Sequence, residues 1–107
     1  MAPWKPSARA LRRARERAHQ KLARDLDRLA HLDPGGSPER PIEIVSPAQV
    51  EVMALARPCP LCGGSLRLEE HAALTVGGAR RRVARMACAL CGTRRAIYFS
   101  LMEPPVQ

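Results

Sequence analysis

The sequence predicts a small α+β fold: a three-stranded antiparallel sheet clamped by cysteines and preceded by a basic amphipathic helix. Three observations predict it. All four cysteines fall in two matched pairs, "CPLCGG" at 59–64 and "CALCG" at 88–92. A Gly77-Gly78 pair sits between two alternating runs, the signature of a two-residue hairpin turn. Residues 7–32 hold no Gly or Pro, and Leu and Ala recur there in steps of three and four. The chain divides accordingly: a basic helical arm over 1–34, a Pro-rich acidic linker over 35–56, and a four-cysteine domain over 57–103.

Residues 7–32 are rich in Ala, Leu and Arg, all strong helix formers. Leu11, Ala14, Ala18, Leu22, Leu26 and Leu29 make one apolar stripe. Ser7 stands where an N-cap belongs, and Pro34-Gly35-Gly36 stops the helix. At 1.5 Å per residue it runs about 39 Å, longer than a small metal-bound domain can cover. The stripe packs on its own domain in part, or meets a partner helix.

The segment "DPGGSPERP" at 33–41 reads as a linker, and "IEIV" as a short strand. "SPAQ" at 46–49 resembles a capping box, with Ser46 as N-cap, Pro47 at the first helical position and Gln49 reaching back. The residues after it, "QVEVMALAR", fit a short helix or an extended arm. Beyond residue 57 a strand carries Leu66, Leu68, Ala72, Leu74 and Val76 on one side. The Gly77-Gly78 turn pairs Val76 with Ala79, so Glu70 falls opposite Arg85 and Ala72 opposite Val83. "TRRAIYFSL" makes the third strand, with Ile97, Phe99 and Leu101 on one face and Pro104-Pro105 ending it.

Composition bounds the core. Trp4, Tyr98 and Phe99 are the only aromatic residues among 107, so a small domain here needs a staple. The first twenty residues hold no apolar run of the secretory kind, and no segment reaches the roughly 20 apolar residues of a membrane span. Glu16, Asp25 and Asp27 argue against a mitochondrial presequence. The expected setting is the reducing cytoplasm, where paired cysteines bind metal more often than they form disulfides.

Cys59, Cys62, Cys88 and Cys91 are the metal ligands. Two residues between cysteines let one tight turn aim both sulfurs at a single point. A following glycine adopts positive φ, so backbone N–H groups can face the sulfurs. Four thiolates in a tetrahedron favour one structural zinc ion and leave no open position for catalysis. No βαβ pattern surrounds "CPLC", which disfavours a redox dithiol. The aromatic packing and acidic surface of a rubredoxin-like iron site are missing. His71, mid-strand and far from either cysteine pair, reads as an exposed strand histidine.

The two cysteine pairs, each followed by glycine and flanking a Gly-Gly hairpin, resemble the zinc-ribbon fold group over about residues 57–102. The whole chain resembles small, uncharacterised bacterial zinc-ribbon proteins. Members of the group occur in transcription factors, polymerase subunits, ribosomal proteins and topoisomerase tails. The resemblance implies metal and fold; it is uninformative about activity.

The charge points to partners. The formal net charge is +8, with sixteen Arg against two Lys. It is positive at both ends and negative between, the pattern of a chain that meets polyanions. Arg80, Arg81, Arg82, Arg85, Arg94 and Arg95 cluster on the predicted sheet and are the candidate phosphate contacts, with RNA or DNA as the ligand. A solvated arginine face with no dedicated ligand, reflecting composition, is the plainer reading. The helix carries Arg9, Arg12, Arg13, Arg17 and Arg24 on the side away from its stripe. No nucleophile–base pair, carboxylate pair or phosphate-cradling loop appears, so no enzymatic activity is expected. The expectation is a zinc-stabilised, nucleic-acid-binding accessory protein. The alternative is a protein-interaction module that docks through the stripe of residues 11–29, with no nucleic-acid activity. Membrane binding is not expected, because the stripe lacks Trp and Phe.

Overall fold

The computed structural model describes residues 5–102. The fold is small α+β, in the order α1 (Ala8–Leu32), β1 (Ile42–Ile44), α2 (Ala48–Leu55), β2 (Leu66–Val76), β3 (Ala79–Cys88) and β4 (Arg94–Leu101). The sheet has four strands, not three, in the order β1-β4-β3-β2. It is mixed: β2, β3 and β4 are antiparallel, while β1 adds to β4 in parallel, with Ile42 beside Phe99 and Ile44 beside Leu101. The expectation of a purely antiparallel three-stranded sheet is corrected by this fourth strand. Its cause is burial: Ile44 is 2% exposed and belongs to the core.

α2 answers the question left open over 46–56. The Gln49 side chain accepts the N–H groups of Val45 and Ser46, at 2.8 and 3.2 Å, and Ser46 Oγ accepts that of Ala48 at 3.2 Å. The Ser46 bond satisfies a donor that the helix start leaves orphaned, since Pro47 at the capping position offers no side-chain acceptor, and the Gln49 bonds fix the chain entering the helix. The helix lies across β2 and β3. Its Val50 and Ala54 are fully buried against Leu66, Ala84, Met86, Ile97 and Phe99. Phe99 and Ile97 both point inward, as alternation along β4 requires.

The hairpin register is as the turn predicts: Val76 pairs with Ala79, Ala72 with Val83 and Glu70 with Arg85. A register shift between Leu68 and Glu70 then alters the faces. Glu69 is the extra residue of a β-bulge. Leu66 and Leu68 lie opposite Cys88 and Met86 on the α2 side. Ala72, Leu74 and Val76 lie opposite Val83, Arg81 and Ala79, which alternate onto the other side. The single-faced strand expected from Leu66 to Val76 is therefore divided in two at the bulge.

α1 begins with the Ser7 hydroxyl accepting the Ala10 N–H at 3.1 Å. Only its last turns touch the body: Ala30 is buried, while Leu11, Leu22 and Leu29 are 44%, 56% and 60% exposed. Most of the stripe does not dock on its own domain, Leu26 being its one half-buried leucine, and the molecule spans 83 × 26 × 17 Å. Three arginines from three segments hold the base of the arm. Arg95 donates to the Ala30 carbonyl at 3.0 Å, Arg40 to that of Leu32 at 3.0 Å, and Arg57 to that of Pro34 at 2.6 Å. The first two reach carbonyls of the last turn of α1, that of Ala30 shared with the Asp33 N–H, and the third reaches the chain just beyond the helix. Gly36 completes the junction: a Cβ there would collide with the Ala30 carbonyl and the His31 backbone.

Candidate metal centre and basic surface

The first cysteine turn precedes β2, and the second joins β3 to β4. In the first, the Cys59 carbonyl accepts the Gly63 N–H and the Cys59 N–H donates to Gly64, both at 2.8 Å. In the second, Gly92 donates to Cys88 at 3.1 Å and Cys88 to Thr93 at 2.9 Å. The residue closing each turn is a glycine at positive φ, +75° at Gly63 and +74° at Gly92, a conformation other L-residues adopt at a cost. Local backbone bonds alone thus aim two sulfurs from each turn, and the β2–β3 hairpin brings the two turns together.

All four Sγ atoms lie within 4.8 Å of one another. Cys59 to Cys91 is 3.7 Å and Cys62 to Cys88 is 3.4 Å. A tetrahedron with zinc–sulfur bonds of about 2.3 Å has sulfurs about 3.8 Å apart. The donor set and its size suit one structural zinc ion, and sequence and structure name the same four residues. Cys59 and Cys88 are buried in the core cluster, whereas Cys62 and Cys91 face solvent. His71 lies outside the cluster.

Backbone dipoles converge on the sulfurs. Gly64 N–H points at Cys62 Sγ at 3.4 Å, and the N–H groups of Leu90 and Cys91 point at Cys88 Sγ at 3.4 and 3.5 Å. Four thiols this close cannot all ionise unaided. Contacts with the Thr93 hydroxyl and N–H pull Cys91 down to about 6. The Cys91 and Leu90 N–H groups lower Cys88 against the opposing effect of burial. Cys62 is pushed up to about 12, because the neighbouring sulfurs outweigh the favourable Gly64 N–H. A dication reverses that penalty by neutralising the shared charge. Thr93, 3.1 Å from Cys91 Sγ, went unnoticed in the sequence; a hydroxyl two residues after a cysteine ligand was the available signal.

The six sheet arginines do not form one surface. Arg80 and Arg82 share one face of β3, and Arg81 and Arg85 the other, since successive strand residues alternate. Arg81 is committed internally, donating to the Pro38 carbonyl at 2.9 Å and to that of Arg80 at 2.9 Å. Arg95 anchors the arm; burial first and then nearby Arg57 lower its pKa from the usual arginine value. Arg85 pairs with Glu70 and Arg94 with Glu69, each at 3.3 Å on exposed side chains. Arg80 and Arg82 have no ion pair or side-chain hydrogen bond among the described residues. They border an open cleft of about 570 Å³ with Val45, Thr75, Leu101 and Met102. Phe99 offers no ring to a base, and Tyr98 is half-buried on the opposite side of β4. Trp4 and Glu103 lie outside the described residues.

Arg40 and Arg57 are structural residues that the sequence did not single out. No helix among the described residues is long and apolar enough to cross a membrane. No protein-family model, no curated protein and no solved structure matches the chain.

Proposed function

We propose that the chain is a non-enzymatic zinc-ribbon protein of the cytoplasm that binds nucleic acid as an accessory factor, with zinc serving structure alone. One observation carries this reading. α1 stands away from the body, and among the described residues none of its Lys or Arg side chains is held in an ion pair by a carboxylate. Arg9, Arg13 and Arg17 follow one another at four-residue steps, as do Arg24 and Arg28, so like charges repel along the free helix. A phosphate backbone relieves that repulsion and gains by releasing counterions. The contact surface is the basic side of α1, with Arg80 and Arg82 the sheet arginines free to add to it. Arg85 and Arg94 lie on the opposite face of the sheet, paired with Glu70 and Glu69, and stay outside that surface. Arg81 and Arg95 act indirectly, by holding the hairpin and the arm in place.

The test is a titration of zinc-loaded protein against short labelled RNA and DNA at two salt concentrations. About five phosphate contacts predict a loss of about 500-fold in affinity between about 50 and 200 mM salt. Charge reversal at Arg13 and Arg17 should abolish binding. Absent binding at low salt, or salt-independent binding, would overturn the reading. The exposed leucines of α1 favour a second reading, in which the arm docks on a protein partner. Leu22→Asn with Leu26→Asn would then abolish capture of that partner and leave nucleic-acid affinity unchanged.

A further inference from the structure

β2 is an outer strand of the sheet and eleven residues long. In an antiparallel strand the backbone N–H and C=O groups of successive residues turn to alternate sides. Two hydrogen bonds fix the phase here. The Cys88 N–H donates toward β4, to the Thr93 carbonyl at 2.9 Å, and the Ala89 N–H donates toward β2, to the Ser65 carbonyl at 3.0 Å. Odd-numbered residues of β3 therefore turn toward β2. The pairs Ala79–Val76, Arg81–Leu74 and Val83–Ala72 carry those bonds to the even-numbered residues of β2. His71, Ala73 and Thr75 are left with N–H and C=O directed out of the sheet, and all three are exposed.

Proteins blunt such edges with charge, proline or a bulge. The first half of β2 is blunted in this way, by Glu69, Glu70 and the bulge between Leu68 and Glu70. The second half, "HAALTV" at 71–76, has no proline, no carboxylate, no Lys or Arg, and no bulge.

We propose that this half-edge pairs with the same half-edge of a second copy, antiparallel about a two-fold axis at Ala73. The three outward residues are symmetric about Ala73, so the edge is its own complement. His71 pairs with Thr75 of the second copy, and Ala73 with Ala73, through about six backbone hydrogen bonds. Ala72 and Leu74, half-buried on one face, each lie beside the other in the second copy. Charge is compatible as well. The Glu69–Glu70 end of one copy runs past the Gly77-Gly78 turn of the other, next to Arg80. The basic arm is attached through Arg95 on β4, two strands away from the joined edge. The product is a continuous sheet of two four-stranded halves.

The experiment is sedimentation of the zinc-loaded full chain between about 1 µM and about 1 mM, the range in which a small interface associates. The expected result is a weight-average mass rising from that of the 11.8 kDa chain toward twice that value. Ala73→Pro removes an outward N–H that the chain's own sheet does not use. It should remain at the monomer mass across the range with zinc still bound. Ala73→Lys, which sets like charges opposite each other at the axis, should behave the same way and serves if the proline variant fails to fold. Leu22→Asn on α1 should associate like the unchanged chain. A monomer mass at the highest concentration would overturn the proposal. So would association of both Ala73 variants, or its loss in Leu22→Asn alone.

Discussion

Stripping the metal should unfold the sheet. The four sulfurs join the turn before β2 to the turn between β3 and β4, and two of them, Cys59 and Cys88, sit inside the apolar cluster. Structural zinc contributes about 10–16 kcal/mol at neutral pH, whereas a whole small domain holds a net stability of about 5–15 kcal/mol. The first is as large as the whole of the second, so the metal-free chain should have no folded sheet. α1 should follow, because it is tied to the body through Arg40, Arg57 and Arg95, and a lone helix bearing this much like charge is marginal in water. The assay is a chelator titration followed by far-UV circular dichroism, with residual metal measured in the same samples. Strand and helix signals should fall together with the bound zinc and return when zinc is restored. An unchanged spectrum in samples proven free of metal would refute the reasoning. Cys88→Ser should be the more damaging single change, since Cys88 is buried and accepts two N–H groups, and Cys91→Ser the milder one.

Zinc retention should fail as pH falls, because protons compete with the metal for thiolates. Cys62, pushed up to about 12 without a cation, gives its proton to solvent only as its thiolate binds the metal, so uptake at neutral pH should acidify a weakly buffered solution. Phe99→Ala should cost about 3–5 kcal/mol in urea denaturation, since its ring is fully buried and the largest of the core side chains. Arg95→Met should cost about 1–2 kcal/mol, because the Ala30 carbonyl keeps the Asp33 N–H. Its clearer signature should be a broadened distribution of distances between probes on the arm and the sheet. Gly36→Ala should destabilise by about 1–3 kcal/mol, as a Cβ there meets the backbone at the end of α1, and should shift hydrogen exchange in that last turn.

Much of the metal site was legible because it is local. A cysteine pair with two residues between, closed by glycine, builds its turn with bonds inside six residues, and a Gly-Gly hairpin sets its own register. The helix caps at Ser7 and at Ser46 with Gln49 are local as well. What the sequence left hidden depends on distant segments. β1 is three residues long, and its membership of the sheet rests on pairing with β4, more than fifty residues later. The bulge at Glu69 is an insertion relative to β3, and a strand read alone shows nothing to count it against. Three consecutive arginines look like one patch in text. On a pleated strand they divide between two faces, and Arg81 is drawn back to the Pro38 carbonyl.

The base of the arm carries a consequence for how the molecule reports its own condition. Arg40 comes from the connection after α1, Arg57 from the end of α2, and Arg95 from β4, and each grips a different carbonyl within five residues of chain. The direction of α1 is therefore a vote among three parts of the body that share no short segment of sequence. If any one part loosens, the lever some 37 Å long swings, and a small displacement at its root becomes a large one at its tip. A single pair of labels, one near Arg9 and one on the sheet, would act as a gauge for the integrity of the entire body.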